Sequence, residues 1–561
     1  MKRNIKYILI ALAALASASC IKEVLPVGGS QTQAQVSESK SAMMSMIKAI
    51  PASMTTSGTI GYAGSYGDHT DFGIPGIHLR FEHMLEDMAT MAENPFYNRF
   101  YAYDMNEAQG PQYTYCAYFW DAYYTWIRLA NDVILSLKDT VQELGDSEDD
   151  EAVKLRDILG QAYAYRAMCY LDLARLYEPK VNDYVEIESN ILEMTVPIVD
   201  ENTDRDKMKE NPRVSRDSMY NFIIGDLTKA VELMDETDRT FSRPTTYAVH
   251  GMLARTYLEL GYTNDANVAE SMFTKASEHA RKVINEGGYL PLTQTQWEDP
   301  VNGFNNAASN DAWIWGFSLV AENLSNLLTF VSHISSEASW GYARYAQFGV
   351  SARLYDMIPD TDFRKHSWLD PKKEEYYAYK FAGSEEDKQD FLNGMPAAKP
   401  YQSIKFRPAM SECSDFNIGN AADYCLMRIE EMYFIEIEAQ ARLKGLAEGK
   451  KLLREFMTTY RDKAYSRNPG SLEDFMTELL LQKRVEFWGE GILLFDYKRL
   501  DRGITRAYPG SNHAGVFKYN TVGRSPQWNI VITRAEFQSN KGIDPEKDNN
   551  PDPSGKIKLE Q

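Results

Sequence analysis

Residues 157–179, DILGQAYAYRAMCYLDLARLYEP, carry the clearest structural pattern in the chain. Apolar and aromatic side chains recur there at steps of three and four residues, and a proline follows the last of them. That spacing places these groups on one face of an α-helix, and proline cannot continue a helix. The recurring positions are Leu159, Tyr163, Ala167, Tyr170, Leu171 and Ala174, with Pro179 after the end. We therefore expect a long, packed helix here.

Similar patterns predict further helices along the chain. They cover residues 244–261, 268–285, 426–444, 449–464 and 472–487. Residues 290–425 differ, because they are rich in Asn, Gly, Pro and aromatic residues and contain only short strand-like runs such as DAWIWGFSLV. Trp313 and Trp315 alternate along that run and share one face, which favours core packing for both. The sequence thus predicts a mainly α fold, in which a helical scaffold carries a large loop-rich insertion.

Two of the helical segments carry traces of the tetratricopeptide repeat, in which pairs of antiparallel helices stack on one another. The matching residues are Leu159, Gly160 and Tyr163 for the L-G-x2-Y pattern, and Ala269, Phe273 and Ala276 for the A-x3-F-x2-A pattern. Small residues at such positions let two helices approach closely. The spacing between the two halves is longer than in the standard repeat, so we expect a scaffold that is only tetratricopeptide-like.

The N-terminus has the pattern of an export signal. Cationic residues precede the apolar run YILIALAALA, and small residues lead from it to Cys20. The run is too short to span a bilayer as a helix, which takes about 20 residues. We predict a signal peptide at residues 1–19, lipidation of Cys20 and a flexible tether over residues 20–38. The alternative is an ordinary signal peptide with an incidental cysteine.

The rest of the chain, residues 39–561, is predicted to form a single domain. Its parts are a helical scaffold (about 39–290 and 426–500), the insertion (about 290–425) and an irregular C-terminal region (about 501–561). The formal charge of the chain is −20 at pH 7, which makes nucleic acid a poor partner. The remaining cysteines are Cys116, Cys169, Cys413 and Cys425. None forms a CxxC pair, so no structural zinc site is expected. Cys413 and Cys425 could form a disulfide, but buried free thiols are favoured.

Five segments together resemble the SusD/RagB family of Bacteroidetes lipoproteins. They are AYRAMCYLDLARLYEP, VSRDSMYNFIIGDLTKAV, RPTTYAVHGMLARTYLEL, LMRIEEMYFIEIEAQARLKG and QKRVEFWGEGILLFDYKRL. They occur in the family's order and span about residues 160–500. In the last segment, Leu493 stands where the family pattern has an arginine. No single segment is specific, but jointly they identify the chain as similar to this family.

The resemblance implies a function as well as a SusD-like fold. It implies a surface-exposed lipoprotein that binds an oligosaccharide and delivers it to a SusC-type TonB-dependent transporter, with the outer membrane reached through the lipid anchor. It also implies that the glycan surface draws on loops near the N-terminus and on the loop-rich insertion. No cofactor is implied.

Two segments match that expectation, because they combine aromatic rings with hydrogen-bonding side chains. Sugars present C–H faces that pack on rings and hydroxyls that need fixed polar partners. In SYGDHTDFGIPGIH the candidate glycan contacts are Tyr66, Asp68, His69, Asp71 and Phe72; in SWGYARYAQF they are Trp340, Tyr342, Arg344 and Tyr345; Tyr97, Asn98 and Tyr101 could extend the first group. The alternative for each ring is local packing. The Asp and His residues of the first segment could also hold a metal, but turn formation is favoured and we predict no metal site.

Catalysis finds little support in the sequence. Glu486 and Glu490 form an i,i+4 carboxylate pair, and two carboxylates at a suitable distance could cleave a glycoside. Cationic residues lie nearby at Lys483, Arg484, Lys498 and Arg499, and they favour a salt-bridge network instead. The same holds for Glu430 and Glu431 beside Arg428. Common catalytic motifs are also missing from the sequence. We predict a binding protein and no enzyme; the alternatives are a tetratricopeptide-like scaffold that binds a protein and, less favoured, a glycan-cleaving enzyme.

Overall fold

The chain folds into a mainly α structure with few, short strands. The computed structural model describes residues 40–56, 70–91, 108–301, 303–321, 324, 327–342, 348–372 and 400–558. The predicted signal peptide, Cys20 and the tether lie outside these residues. No helix within the described part has the length and apolar character needed to cross a bilayer.

The described helices are α1 (Lys40–Met46), α2 (Ala49–Thr55), α3 (Ile74–His83), α4 (Thr114–Leu144), α5 (Asp150–Tyr177), α6 (Arg205–Met208), α7 (Arg216–Leu233), α8 (Thr246–Leu260), α9 (Ala266–Glu286), α10 (Gln294–Glu298), α11 (Phe330–Ile334), α12 (Ala352–Met357), α13 (Phe416–Gly419), α14 (Ile429–Lys444), α15 (Leu446–Tyr460), α16 (Leu472–Glu486), α17 (Leu493–Leu500) and α18 (Arg534–Ser539). The described strands are β1 (Met88–Thr90), β2 (Trp313–Phe317), β3 (Phe348–Val350) and β4 (Tyr424–Arg428). They form two antiparallel pairs, β1 with β3 and β2 with β4.

Helix α5 is the long helix predicted from residues 157–179, and it occupies the centre of the scaffold. Asp149 caps its first turn by accepting a hydrogen bond from the backbone N–H of Glu151. Nearly every side chain from Ile158 to Tyr177 is buried, because α4 packs on one side and α7 on the other. The apolar periodicity therefore marked a helix that is enclosed on more than one face.

Helices α8 and α9 form an antiparallel pair, as the tetratricopeptide traces indicate. Thr245 caps α8 by accepting a hydrogen bond from the N–H of Ala248. The two helices meet most closely at the end of α8, where a Cβ added to Gly261 would lie 2.5 Å from a ring carbon of Phe273. Helix α9 also packs against α14, which continues the helical array.

The boundary before α14 differs from the prediction. The sequence pattern starts a helix at Leu426, whereas the chain remains extended as β4 until Arg428. Strand β4 pairs with β2, a partner more than 100 residues away in the chain. Both tryptophans of β2, Trp313 and Trp315, are buried, which confirms their predicted place in the core.

Ion pairs join the motif segments within the core. Arg166 of α5 donates to Asp226 of α7 at 2.7 Å. Arg255 of α8 donates to Glu431 of α14 at 2.5 Å. These four residues belong to separate segments of the family resemblance, so their charges hold neighbouring helices together.

Glu486 and Glu490 lie in a buried network of charges. Glu486 accepts hydrogen bonds from Arg364, Arg428 and Arg461 at 2.7–2.9 Å. Burial alone would raise the pKa of Glu486, but the charges of Arg461 and Arg428 hold that pKa well below its usual range. Glu490 pairs with Lys405 and Arg428 at 2.7 and 2.9 Å.

This network confirms the structural role predicted for the pair, but its cations differ from those predicted. The sequence pointed to cations close in the chain, such as Arg484, which instead binds Asp87 at 2.6 Å. The actual partners come from distant segments.

The described cysteines, Cys116, Cys169, Cys413 and Cys425, are all buried free thiols, so the Cys413–Cys425 disulfide does not form in this structure.

Candidate functional site

The short helix α11 is the structural centre of the candidate glycan surface. Thr329 caps it by accepting a hydrogen bond from the N–H of Ser332 at 3.2 Å. The hydroxyl of Thr329 also donates to the side-chain oxygen of Asn420 at 2.6 Å. The bond to Asn420 ties α11 to the segment that leads into β4.

A column of three stacked rings joins the two sequence segments that were predicted to form the site. His333 of α11 stacks on Phe72 with ring centroids 4.7 Å apart, and on Tyr342 with centroids 4.8 Å apart. The Nδ1 atom of His333 lies 2.7 Å from the backbone oxygen of Thr329, which fixes the plane of the imidazole. Phe72 comes from the N-terminal segment and Tyr342 from the insertion, so His333 is the link between them.

Tyr342 is the outer ring of this column. Its ring is half-buried, and its backbone N–H donates to the hydroxyl of Ser332 at 3.3 Å. Burial raises the pKa of its phenol above the ordinary value. The hydroxyl therefore stays neutral at physiological pH and can both donate and accept a hydrogen bond.

Trp340 lies two residues before Tyr342 in the chain, and its ring packs against Gly419, where there is no room for a side chain. A Cβ added to Gly419 would lie 2.7 Å from the Trp340 ring and 2.3 Å from the backbone oxygen of Glu412. The indole is half-buried. In the chain segment that ends at Gly419, Met410, Phe416 and Ile418 expose 73, 36 and 43% of their surface. Trp340 thus belongs to a partly apolar, accessible surface.

Asp71 and Phe72 lie behind this surface. They are only 3 and 2% exposed, and the hydroxyl of Tyr118 donates to Asp71 at 3.3 Å. A ligand on the surface would not reach either side chain. The prediction that both contact a glycan directly is corrected here: Phe72 supports the ring column, and Asp71 ties the segment to α4.

The other candidates fall outside the described residues. These are Tyr66, Asp68, His69, Arg344 and Tyr345, together with Tyr97, Asn98 and Tyr101. The described residues that flank them are nevertheless brought close together. Phe72 meets Tyr342 through His333, and Thr90 of β1 pairs with Phe348 of β3.

The metal alternative remains untested at Asp68 and His69 for the same reason. Among the described residues, no group of three histidine, cysteine, aspartate or glutamate side chains is arranged to hold a metal ion.

Sequence reasoning missed His333 and Thr329. Neither residue lies in an aromatic-rich stretch, and the role of His333 depends on rings that lie about 260 positions before it and 9 after it. Only the contacts in the folded structure identify such a residue.

Comparison with known families decides the assignment of the fold. A family model described as starch-binding and associating with the outer membrane matches residues 76–258. A second model, described as the SusD family, matches residues 333–547. The chain belongs to the SusD/RagB family.

Relatives of the SusD/RagB family agree with this assignment. The chain is 25% identical over 407 residues to the SusD-like protein P2 of Formosa agariphila. The matched region covers 69% of this chain and 72% of that protein. A SusD-like carbohydrate binding protein from Bacteroides vulgatus has a similar structure, with a TM-score of 0.67, 21% identity and coverage of 90% of this chain and 97% of the other.

A further similar structure is surface glycan-binding protein A from Bacteroides thetaiotaomicron, which was solved in complex with laminarihexaose. Its TM-score is 0.61 at 14% identity, with 90% of this chain and 98% of that chain covered. At these identities the likeness shows a shared fold. The mainly α, SusD-like fold predicted from the sequence is thereby confirmed.

Proposed function

We propose that the chain is a surface lipoprotein that binds an oligosaccharide and passes it to a SusC-type TonB-dependent transporter. The single observation that carries the binding role is the ring column, which holds the half-buried Tyr342 beside Trp340 on an accessible surface. Both the family membership and the laminarihexaose complex of a similar protein support a glycan as the ligand.

The chemistry of this surface suits a neutral sugar. Trp340 and Tyr342 offer ring faces for the C–H side of a pyranose, and the neutral phenol of Tyr342 can bond a hydroxyl. Each hydrogen bond contributes only about 0.5 to 1.5 kcal/mol after exchange with water. Dissociation constants should therefore lie in the micromolar to millimolar range, which corresponds to a binding free energy of roughly 4 to 8 kcal/mol in magnitude.

The dependence on salt distinguishes neutral from charged glycans. Stacking and hydrogen bonding displace few counterions, so the affinity for a neutral glycan should change little with salt. Arg344 lies outside the described residues, and it is the candidate that would favour an anionic glycan. Strong weakening of binding by salt would point to that alternative.

The anchor and the transporter complete the proposed role. Lipidation at Cys20 would hold the protein at the outer membrane, and the tether at residues 20–38 would give the folded part its reach. A binding protein with weak affinity benefits from being held beside its transporter, because released ligand is then recaptured at a high effective concentration.

A glycan array followed by product analysis tests this function. Binding of one glycan class without any cleavage product is the expected result. Appearance of shortened products would support the glycan-cleaving alternative. Absence of binding to every glycan, together with capture of a protein partner, would support the scaffold alternative.

A further inference from the structure

A large cavity lies on another part of the scaffold. Its volume is about 840 Å³, and its walls are α4, the segment at residues 197–211 and the C-terminal helix α18. This size falls within the range of about 300 to 1,000 Å³ that is usual for small-molecule sites. We call it the α4 groove.

The α4 groove does not belong to the glycan surface described above. Tyr118, which bonds Asp71 behind that surface, and Trp120, which lines the groove, are two residues apart on α4. At about 100° per residue they point to nearly opposite sides of the helix. The two sites share no residue among those identified for each.

Hydrogen bonds hold the three walls together. Tyr124 donates to the backbone oxygen of Pro197 at 2.6 Å, and Asn131 donates to that of Val199 at 2.9 Å. Asn540 and Asn211 exchange two hydrogen bonds, at 2.6 and 2.9 Å. The groove is therefore formed before any ligand enters.

On the side of the α4 groove formed by α4 and α18, the carboxylates of Asp121 and Glu536 are not neutralised by cations. Asp200, on the opposite wall, also forms no ion pair among the described residues, but Asn202 and Thr203 donate hydrogen bonds to it. The Glu536 carboxylate accepts from the indole N–H of Trp120 at 3.3 Å and from Asn540 at 2.8 Å. Asp121 receives no hydrogen bond, and neither carboxylate forms an ion pair, within the part of the chain that the structure describes. Burial, with a smaller contribution from the charge of Glu536, raises the pKa of Asp121 to about 6. Burial also raises the pKa of Glu536. Both carboxylates thus lie where their negative charge is penalised, and a positive group beside them would stabilise the ionised forms.

The opposite wall limits how much positive charge the ligand can carry. Arg205 and Lys209 line that wall and are exposed. Lys209 is paired with Asp206 at 2.8 Å, whereas Arg205 has no ion pair within the part of the chain that the structure describes and would repel a polycation. Leu135 and Met208, 40 and 43% exposed, add apolar surface to the groove, and Tyr124 adds a half-buried ring. The lining therefore suits a ligand that is mostly uncharged, has apolar faces and carries a single cationic group.

We propose that the α4 groove binds a short oligosaccharide that carries one free ammonium group, with that group held by Asp121 and Glu536. A pyranose supplies both the apolar C–H faces and the hydroxyls that this lining can satisfy. Amino sugars with one unacetylated amine are the simplest members of this class. This site is independent of the proposed function at Trp340 and Tyr342.

The test compares two ligands that differ by one charge. Isothermal titration at pH 7 would use N-acetylchitotetraose and the same tetrasaccharide lacking one acetyl group. The ligand with the free amine should bind at least tenfold more tightly. Asp121→Asn should abolish that preference, and it should fold normally because no described residue bonds the Asp121 side chain.

Two control variants show whether the preference arises in the α4 groove. Asp139→Asn removes an exposed carboxylate from the same helix outside the groove and should leave the preference unchanged. Trp340→Ala should leave the affinity for the tetrasaccharide with the free amine unchanged, even if it abolishes binding of a neutral glycan. This distinction keeps the two proposals separately testable.

Four outcomes would overturn the proposal. Equal affinities of the wild type for the two tetrasaccharides would exclude the ammonium site. A preference that persists in Asp121→Asn, or an affinity for the tetrasaccharide with the free amine that is lost in Trp340→Ala, would place binding elsewhere. Tighter binding of a trilysine peptide than of the amino sugar would exclude a saccharide as the ligand.

Discussion

Glu486 shows how a single residue supports the scaffold. Its carboxylate is fully buried and is bonded by guanidinium groups from three separate segments, at Arg364, Arg428 and Arg461. A buried charge is tolerated only when its partners replace the water that it has lost. Glu486 and Glu490 have the i,i+4 spacing of a possible catalytic pair in the sequence. In the structure, both carboxylates instead bind cations of this buried network.

Glu486→Gln should destabilise the protein strongly. The substitution keeps the shape but leaves three buried cations without one of their counter-charges, and breaking a buried pair costs about 3 to 5 kcal/mol. Urea unfolding followed by circular dichroism measures the change. Glu473→Gln is the control, since Glu473 pairs with Arg502 at 2.8 Å on the surface and should cost less than about 1 kcal/mol. Equal losses for the two variants would contradict this role for Glu486.

At the scale of elements, close approach of helices depends on small residues. Helices α5 and α7 pack at Gly160, where an added Cβ would lie 2.7 Å from a side-chain carbon of Met234 and 3.3 Å from the backbone oxygen of Ala230. Gly225 lies within α7 and has no atom near such a Cβ, within 4 Å. The two glycines therefore differ in packing while sharing a helical backbone.

These two glycines provide a matched pair of substitutions. Gly160→Ala should destabilise the protein, because overpacking costs about 1 to 3 kcal/mol and exceeds the gain in helix propensity. Gly225→Ala should instead stabilise it, by up to about 1 kcal/mol, through propensity alone. Thermal unfolding of both variants measures the difference. If Gly160→Ala were as stable as Gly225→Ala, close helix packing would not be the reason that residue 160, in the L-G-x2-Y pattern, is a glycine.

Helices were predictable from the sequence because their signal is local. The period of apolar residues marks α5, and the Thr245 cap and Gly261 bound α8. Strand β4 was missed, because its four apolar or aromatic residues and Arg428 stand directly before a helix and look like the first turn of that helix. Only pairing with the distant β2 makes them a strand. The candidate site was predictable as two aromatic segments. The burial of Phe72 and the role of His333 were not, because both depend on contacts between distant parts of the chain.

At the scale of the whole molecule, the proposed lipidation of Cys20 would determine where the protein acts. We expect the mature chain to begin at Cys20 and to carry acyl chains, which bind a membrane at about 0.8 kcal/mol per buried methylene. Mass spectrometry of the protein from the membrane fraction measures both properties. Cys20→Ser should move the protein out of that fraction. An unmodified Cys20, or a mature chain that begins elsewhere, would contradict the anchor.

The central claim is that Trp340 and Tyr342 form the glycan-binding surface. Its most direct test is isothermal titration of the best glycan from the array into the wild type, Trp340→Ala, Tyr342→Ala and the control Tyr460→Ala, which removes a half-buried tyrosine from α15. We predict that each of the first two substitutions weakens binding about tenfold, or about 1.4 kcal/mol, at low and high salt alike, while the control binds as the wild type does. Unchanged affinity in both Trp340→Ala and Tyr342→Ala would contradict the account.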